Sequence, residues 1–398
     1  MPTLAKSLSN TINTKINEIP KSEIRAFSNK ISQIPGIIKL TVGEPDLQTP
    51  ERIKRAAIED IKSDDSHYAP EAGKKEYLNA VSRYLDDSLG VYYNPDNEIC
   101  ATVGVTAALN VALMTVLNPG DKVIVPTPVW GVYFGIIKMA GGIPVEVETS
   151  EDNFILTAKH LKQVMENEGK GAKAIVITDP SNPTGRVYDK EELEQLAKVI
   201  TDYNLFVLSD EIYAELTYND KKHYSLSQII PERTLILSGL SKSFAMTGWR
   251  IGYIAGPAEI MKTVVKVSSF LITSVTDNVQ IAAAKALEDG EQDYEEARAI
   301  YEKRLHIIQT GLEKNGFTMA TPEGAFYIFA KIPEHFGSDD VAFATDLANK
   351  AKVGVVPGSY FGKGGEGYVR LSYASSEEHL RMAVERITNY VDDVLDKE

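Results

Sequence analysis

Lys242 lies in SGLSKSFAMTGWRIGY (238–253), among small and apolar neighbours with few carboxylates close by in sequence. A lysine so placed is easily withdrawn from water, which favours its neutral amine and turns it into a nucleophile. The ordinary alternative is a lysine that keeps its charge in solvent at a helix start. Arg250, in the glycine-punctuated TGWRIG, sits where a backbone can come close to a ligand, and its guanidinium suits an anion. Asp210 and Tyr213, in SDEIYAEL (209–216), follow the apolar run FVLS, so an acid and a phenol stand at a strand's carboxyl end. TVGVTAALNVAL (102–113) reads as a strand end, a glycine and a helix start, whose free N–H groups suit a phosphate dianion. Arg370, in YVRLSYA, carries a planar fork that matches a carboxylate; a strand arginine is otherwise a surface ion-pair partner.

Short apolar runs separate these segments: VIVP (123–126), AIVIT (174–178), FVLS (206–209) and TLILS (234–238). Each is continuous rather than alternating, as strands covered on both faces must be, and helical stretches such as Thr106–Leu117 fall between them. The pattern predicts an α/β layer fold with a mostly parallel sheet. Before it come a polar arm, a helix over Ser22–Ser32 opened by a capping serine, a strand over Ile37–Val42 and the turn GEPD (43–46). Around 284–314 the spacing predicts one long acidic helix, with Tyr294, Ala297, Tyr301, Leu305, Ile308 and Leu312 forming its buried stripe. A strand at 326–332, a helix at 341–351, the strand VGVVPG, a Gly-rich loop, YVRLSYA and a closing helix then predict a smaller α+β domain. The loop GKGGEG (362–367) precedes a strand instead of following one, so it is no dinucleotide fingerprint.

Composition narrows the partners. With 42 Lys+Arg against 56 Asp+Glu the net charge is −14, which argues against nucleic acid. The single cysteine, Cys100, leaves neither a disulfide framework nor a cysteine metal cluster and fits a reducing cytoplasm; the six scattered histidines suggest no metal site. No signal-peptide-like start and no long apolar span is present, so no membrane association is expected.

A lysine that can form a Schiff base and an arginine that can hold a phosphate are what pyridoxal 5'-phosphate asks of a protein. The run GLSKSFAMTGWRIG resembles, at every position, the lysine signature of class I pyridoxal-phosphate-dependent aminotransferases, and the resemblance extends from GEPD to VRLSYA. It implies fold type I, with a mostly parallel seven-stranded sheet in a large domain and a smaller α+β domain. The expected boundaries are 1–47 for an arm and part of the small domain, 48–285 for the cofactor-binding domain and 286–398 for the small domain. It also implies roles. Lys242 is the Schiff-base lysine, with Ser241 beside it; Asp210 pairs with the pyridinium nitrogen; Asn182, of NPTG, and Tyr213 hydrogen-bond the phenolic oxygen. Gly104, Val105, Thr106 and Arg250 hold the phosphate, and Trp130 stacks on the ring. Arg370 takes the substrate α-carboxylate, which Gly43 and Asn182 also approach. Tyr68, in HYAPEAG, reaches the phosphate of a neighbouring subunit, which implies a homodimer with shared active sites.

Specificity is less direct. One aspartate-specific branch places an arginine near a stretch that here reads SSFLITSVTDNVQ (268–280), without Arg or Lys, and another has a lysine where this chain has Thr106. Lacking both clamps, the chain is expected to prefer an aromatic or broad range of donors with 2-oxoglutarate as acceptor. The alternatives are N-acetyl-diaminopimelate or aspartate transamination and, in a different class, a C–S β-lyase using the same lysine.

Overall fold

The computed structural model describes residues 1–9 and 11–396. Helices α1 (Thr14–Asn17) and α2 (Glu23–Ile31), strand β1 (Ile38–Lys39), and helices α3 (Glu51–Lys62) and α4 (Lys75–Leu89) precede the main sheet. Ser22 caps α2 by accepting the Arg25 N–H, and Gly90, in the left-handed region at φ 67°, ends α4. There follow β2 (Ile99–Thr102), α5 (Gly104–Val116), β3 (Lys122–Thr127), α6 (Val132–Met139), β4 (Ile143–Glu148), α7 (Ala158–Glu166), β5 (Ala172–Thr178), α8 (Lys190–Asp202), β6 (Phe206–Asp210), β7 (Thr234–Gly239) and β8 (Gly252–Ala255).

Strands β2 to β8 form one seven-stranded sheet in the order β2-β8-β7-β6-β5-β3-β4. Only β8 runs against its neighbours, β2 and β7; the other pairings are parallel. Strands β2 to β7 therefore point the same way and bring their carboxyl ends to one edge, where open α/β sheets bind ligands. The unbroken apolar runs have a direct cause. Val176 and Leu208 join the core beneath α5 and α6, while Ile175, Ile177 and Val207 join that beneath α7 and α8.

Beyond the sheet come α9 (Ala258–Ile272), α10 (Asp277–Asp289), α11 (Glu291–Lys314), β9 (Thr318–Met319), β10 (Tyr327–Lys331), α12 (Asp340–Lys350), β11 (Val353–Gly354), β12 (Val356–Pro357), β13 (Tyr368–Ser372) and α13 (Glu377–Leu395). The antiparallel sheet β12-β13-β10-β9 shares a core with α2, α11, α12 and α13. Four expectations need correcting. The long helix is two, α10 and α11, broken at Gly290, where a Cβ would lie 1.9 Å from the Ala286 carbonyl oxygen. Ala297, Tyr301, Leu305, Ile308 and Leu312 are buried in the core shared with the small sheet, but Tyr294 packs edge-on against Phe244 in another. The strand expected over 37–42 is only β1, because the chain leaves its parallel pairing with β11 to enter the GEPD turn. VGVVPG divides between two sheets, β11 pairing with β1 and β12 with β13.

Candidate active site

The carboxyl edge of the large sheet gathers most of the residues singled out above. β2 ends at Thr102, and Gly104 opens α5 with φ +74° and no side chain capping the helix, so its first N–H groups are free for an anion. Val105 and Thr106 occupy that first turn. Arg250 stands over it: a Cβ on Gly104 would lie 2.5 Å from an Arg250 terminal nitrogen. Arg250 itself is held at φ 54°, a left-handed conformation unusual for arginine, and donates to the Thr247 carbonyl at 2.9 Å. An uncapped helix start, a glycine and a guanidinium thus make a cradle of phosphate size and charge.

At the end of β6, Asp210 is 2% exposed. Its Oδ2 accepts from the Tyr133 hydroxyl at 2.6 Å and its Oδ1 from the Ile212 N–H at 3.3 Å. Burial pushes its carboxyl up to about 6, against the lowering effect of those two donors. Lys242 lies in the turn after β7, beside the buried Ser241, and donates to the Gly43 carbonyl at 2.6 Å. Withdrawal from water lowers its ammonium to about 8, with Arg370 and Arg250 adding to the effect and Glu44 and Asp210 opposing it. An amine of this kind is a competent nucleophile near neutral pH.

Arg370, on β13 and 3% exposed, donates to Asn182 Oδ1 at 2.9 Å and to the Thr41 carbonyl at 2.6 Å. Its guanidinium lies against Tyr327 and Phe361, 4.4 and 4.8 Å from the ring centroids, and its Nε has no hydrogen-bond partner among the described residues. Tyr327 hydrogen-bonds the Tyr213 hydroxyl at 2.7 Å and abuts Gly43 so closely that a Cβ there would meet its oxygen at 1.7 Å. Trp130 packs edge-to-face on Tyr133, with centroids 6.0 Å apart. Tyr68 is not brought into the cluster within this chain; it is 88% exposed.

Tyr133, Tyr327, Phe361 and Thr41 were not singled out by their motifs. For Tyr133 the signal was weak: it stands in the first turn of α6, three residues after Trp130, which precedes the helix. A buried charged clasp was also invisible: His223 Nδ1 lies 3.2 Å from Asp179 and Nε2 3.1 Å from Glu211, joining the loop after β5 to the turn after β6. Burial would lower the imidazolium, but the two adjacent carboxylates, Glu211 through a hydrogen bond and Asp179 as an ion-pair neighbour, outweigh it and raise it to about 10.

The cradle, the buried acid and the desolvated amine fit a phosphorylated pyridine aldehyde. Residues 35–387 match the family described as aminotransferase class I and II. The chain belongs to this family and is a pyridoxal-phosphate-dependent aminotransferase of fold type I. It is 40% identical to a probable N-acetyl-LL-diaminopimelate aminotransferase of Bacillus subtilis, covering 96% of this chain and 95% of that protein. It is 38% identical to aromatic-amino-acid aminotransferase 2 of Thermococcus litoralis, covering 94% and 97%. The structure of Thermus thermophilus aspartate aminotransferase with maleate superposes with a TM-score of 0.89 at 37% identity, covering 95% and 99%. Among the described residues no helix is long and apolar enough to cross a membrane.

Proposed function

We propose that this aminotransferase takes the α-amino group from an aromatic or broad range of amino acids and passes it to a 2-oxo acid such as 2-oxoglutarate. The observation that carries this reading is the lack of a second cation for a side-chain carboxylate, with threonine at 106 and no Arg or Lys in 268–280. The aromatic walls around Arg370 add support.

Bound pyridoxal phosphate supplies an aldehyde that captures an amine and a protonated ring that draws electrons from the substrate Cα. The chain's residues divide the remaining work. Gly104, Val105, Thr106 and Arg250 anchor the phosphate. Asp210 would face the ring nitrogen and favour its protonated form, Trp130 would lie against the ring, and Asn182 and Tyr213 would donate to its phenolic oxygen. Lys242, with Ser241 alongside, would hold the cofactor's aldehyde end, and its free amine would serve as the base and acid that moves the substrate Cα proton. Arg370 receives the α-carboxylate with Gly43 and Asn182 at its edge. In this reading residues 1–47 supply an arm and part of a small domain that 286–398 completes, against the cofactor domain at 48–285. Tyr68, exposed here, completes the site of a second copy in a homodimer.

Absorbance half-reactions with phenylalanine, tyrosine, aspartate, glutamate and N-acetyl-LL-diaminopimelate test the proposal. Conversion by an aromatic donor about tenfold more efficient than by aspartate or the acylated diamine is expected. Preference for either of those two overturns the aromatic assignment, and release of ammonia with pyruvate from a cysteine conjugate favours the lyase.

A further inference from the structure

Tyr133 is 1% exposed, and its hydroxyl is used twice. It donates to Asp210 Oδ2 at 2.6 Å and accepts from Thr178 Oγ1 at 2.9 Å. A phenylalanine would fill the same space; the oxygen is kept at the cost of burying a polar group, which only its partners offset. Three elements converge to build this chain of donors. β5 and β6 pair Thr178 with Asp210 in register, so the sheet fixes both ends. α6 delivers Tyr133 between them, and Trp130 braces its ring edge-to-face. The two oxygens of Asp210 are consequently unequal: Oδ2 is held by a short bond, while Oδ1 has only the Ile212 N–H at 3.3 Å.

We propose that Tyr133, backed by Thr178, is a positioning residue that holds Asp210 Oδ2 and so presents Oδ1 to the cofactor's ring nitrogen. The inference rests on the reading of Asp210 given above. The other ionisable groups around this carboxyl are Glu211 and Tyr213, which follow it in its own turn, and Lys242 from the turn after β7. None of these three makes a hydrogen bond to Oδ2 among the described residues. Without the phenol the carboxylate loses a donor and becomes more basic, so the proton shared with the ring nitrogen moves toward oxygen.

The test uses holoenzyme reconstituted with pyridoxal phosphate carrying nitrogen-15 in its ring, read by NMR, in wild type, Tyr133→Phe, Thr178→Val and Asp210→Asn. In Tyr133→Phe the ring-nitrogen resonance is expected to move toward the unprotonated position, with kcat falling about tenfold and KM for the amino acid unchanged. Thr178→Val should move it the same way by less, and it decides the matter alone if Tyr133→Phe does not fold. A wild-type resonance in the folded Tyr133 and Thr178 variants, with a displaced one in Asp210→Asn, overturns the positioning role only. An undisplaced resonance in Asp210→Asn overturns the assignment of Asp210 and the proposal with it.

Discussion

At the scale of single residues, the environment of Lys242 makes a measurable claim. Its ammonium is lowered to about 8 by burial, whereas an ordinary lysine side chain loses its proton near 10.5. In apoenzyme, an amine-specific acylating reagent should therefore modify Lys242 with a rate midpoint near pH 8, ahead of solvent-exposed lysines, as peptide mass spectrometry over a pH series would reveal. Modification that rises only with the bulk lysines would mean the amine is not desolvated. How much of this was legible beforehand depends on where each cause lies. The lysine run, Arg250, the acid after FVLS and the helix start at Gly104 are local patterns, so their convergence at the strand ends could be anticipated from sequence. Tyr133 acts on a residue 77 positions away, and Arg370 meets Asn182 across 188. Such partners are chosen by sheet register and helix packing, which no single motif encodes. Tyr327 and Phe361 look like ordinary core aromatics until Arg370 is found between them.

At the scale of elements, the clasp made by Asp179, His223 and Glu211 ties the loop after β5 to the turn after β6, the two segments that carry Asn182 and Asp210. The sequence hid it because its three members come from separate segments. Its histidine is raised from 6.5 to about 10, so it stabilises the fold fully below its unfolded value and loses that contribution as pH rises through about 10. Replacing it by glutamine leaves two carboxylates buried without their cation, an outcome expected to cost about 3 kcal/mol or more at pH 7. Thermal unfolding from pH 6 to 10 checks both parts. His223→Gln should melt lower at pH 7, and it should lack this histidine's share of the wild type's decline toward pH 10. Equal melting points at pH 7 would show that the clasp contributes nothing. The Gly290 break between α10 and α11 was missed for a different reason. A glycine inside an amphipathic pattern is compatible with one helix, and only the crowding by Ala286 and Phe244 shows that this position admits no side chain.

For the whole molecule, the question is whether one chain makes a complete site. Tyr68 is exposed, and the proposed dimer gives it to a second copy. Mixing Lys242→Ala subunits with subunits carrying Tyr68→Glu should restore activity in hybrids, because one of the two sites then holds an intact lysine and an intact tyrosine. In a pure hybrid about half of wild-type activity is expected, from the symmetry of an isologous pair. Hybrids verified by native mass spectrometry and no more active than their parents would confine Tyr68 to its own chain or to no site. Donor choice is a property of the assembled edge as well: Thr106→Lys should improve kcat/KM for aspartate about tenfold while aromatic donors weaken. Steady-state kinetics with both donors would expose a lysine that changes neither.

The polarity of the main sheet carries a consequence for how such enzymes diversify. Because β2 to β7 all end on one edge, many of the side chains that gather there, such as Asn182, Lys242 and Arg250, sit on connections rather than within the covered strands. Changes at the few positions that line this edge can then alter the preferred donor while the scaffold stays the same. Overall identity becomes a clock for the scaffold and a poor guide to substrate. Relatives named for an acylated diaminopimelate, for aromatic amino acids and for aspartate accordingly stand at 40%, 38% and 37%, too close together for ancestry alone to sort their chemistry.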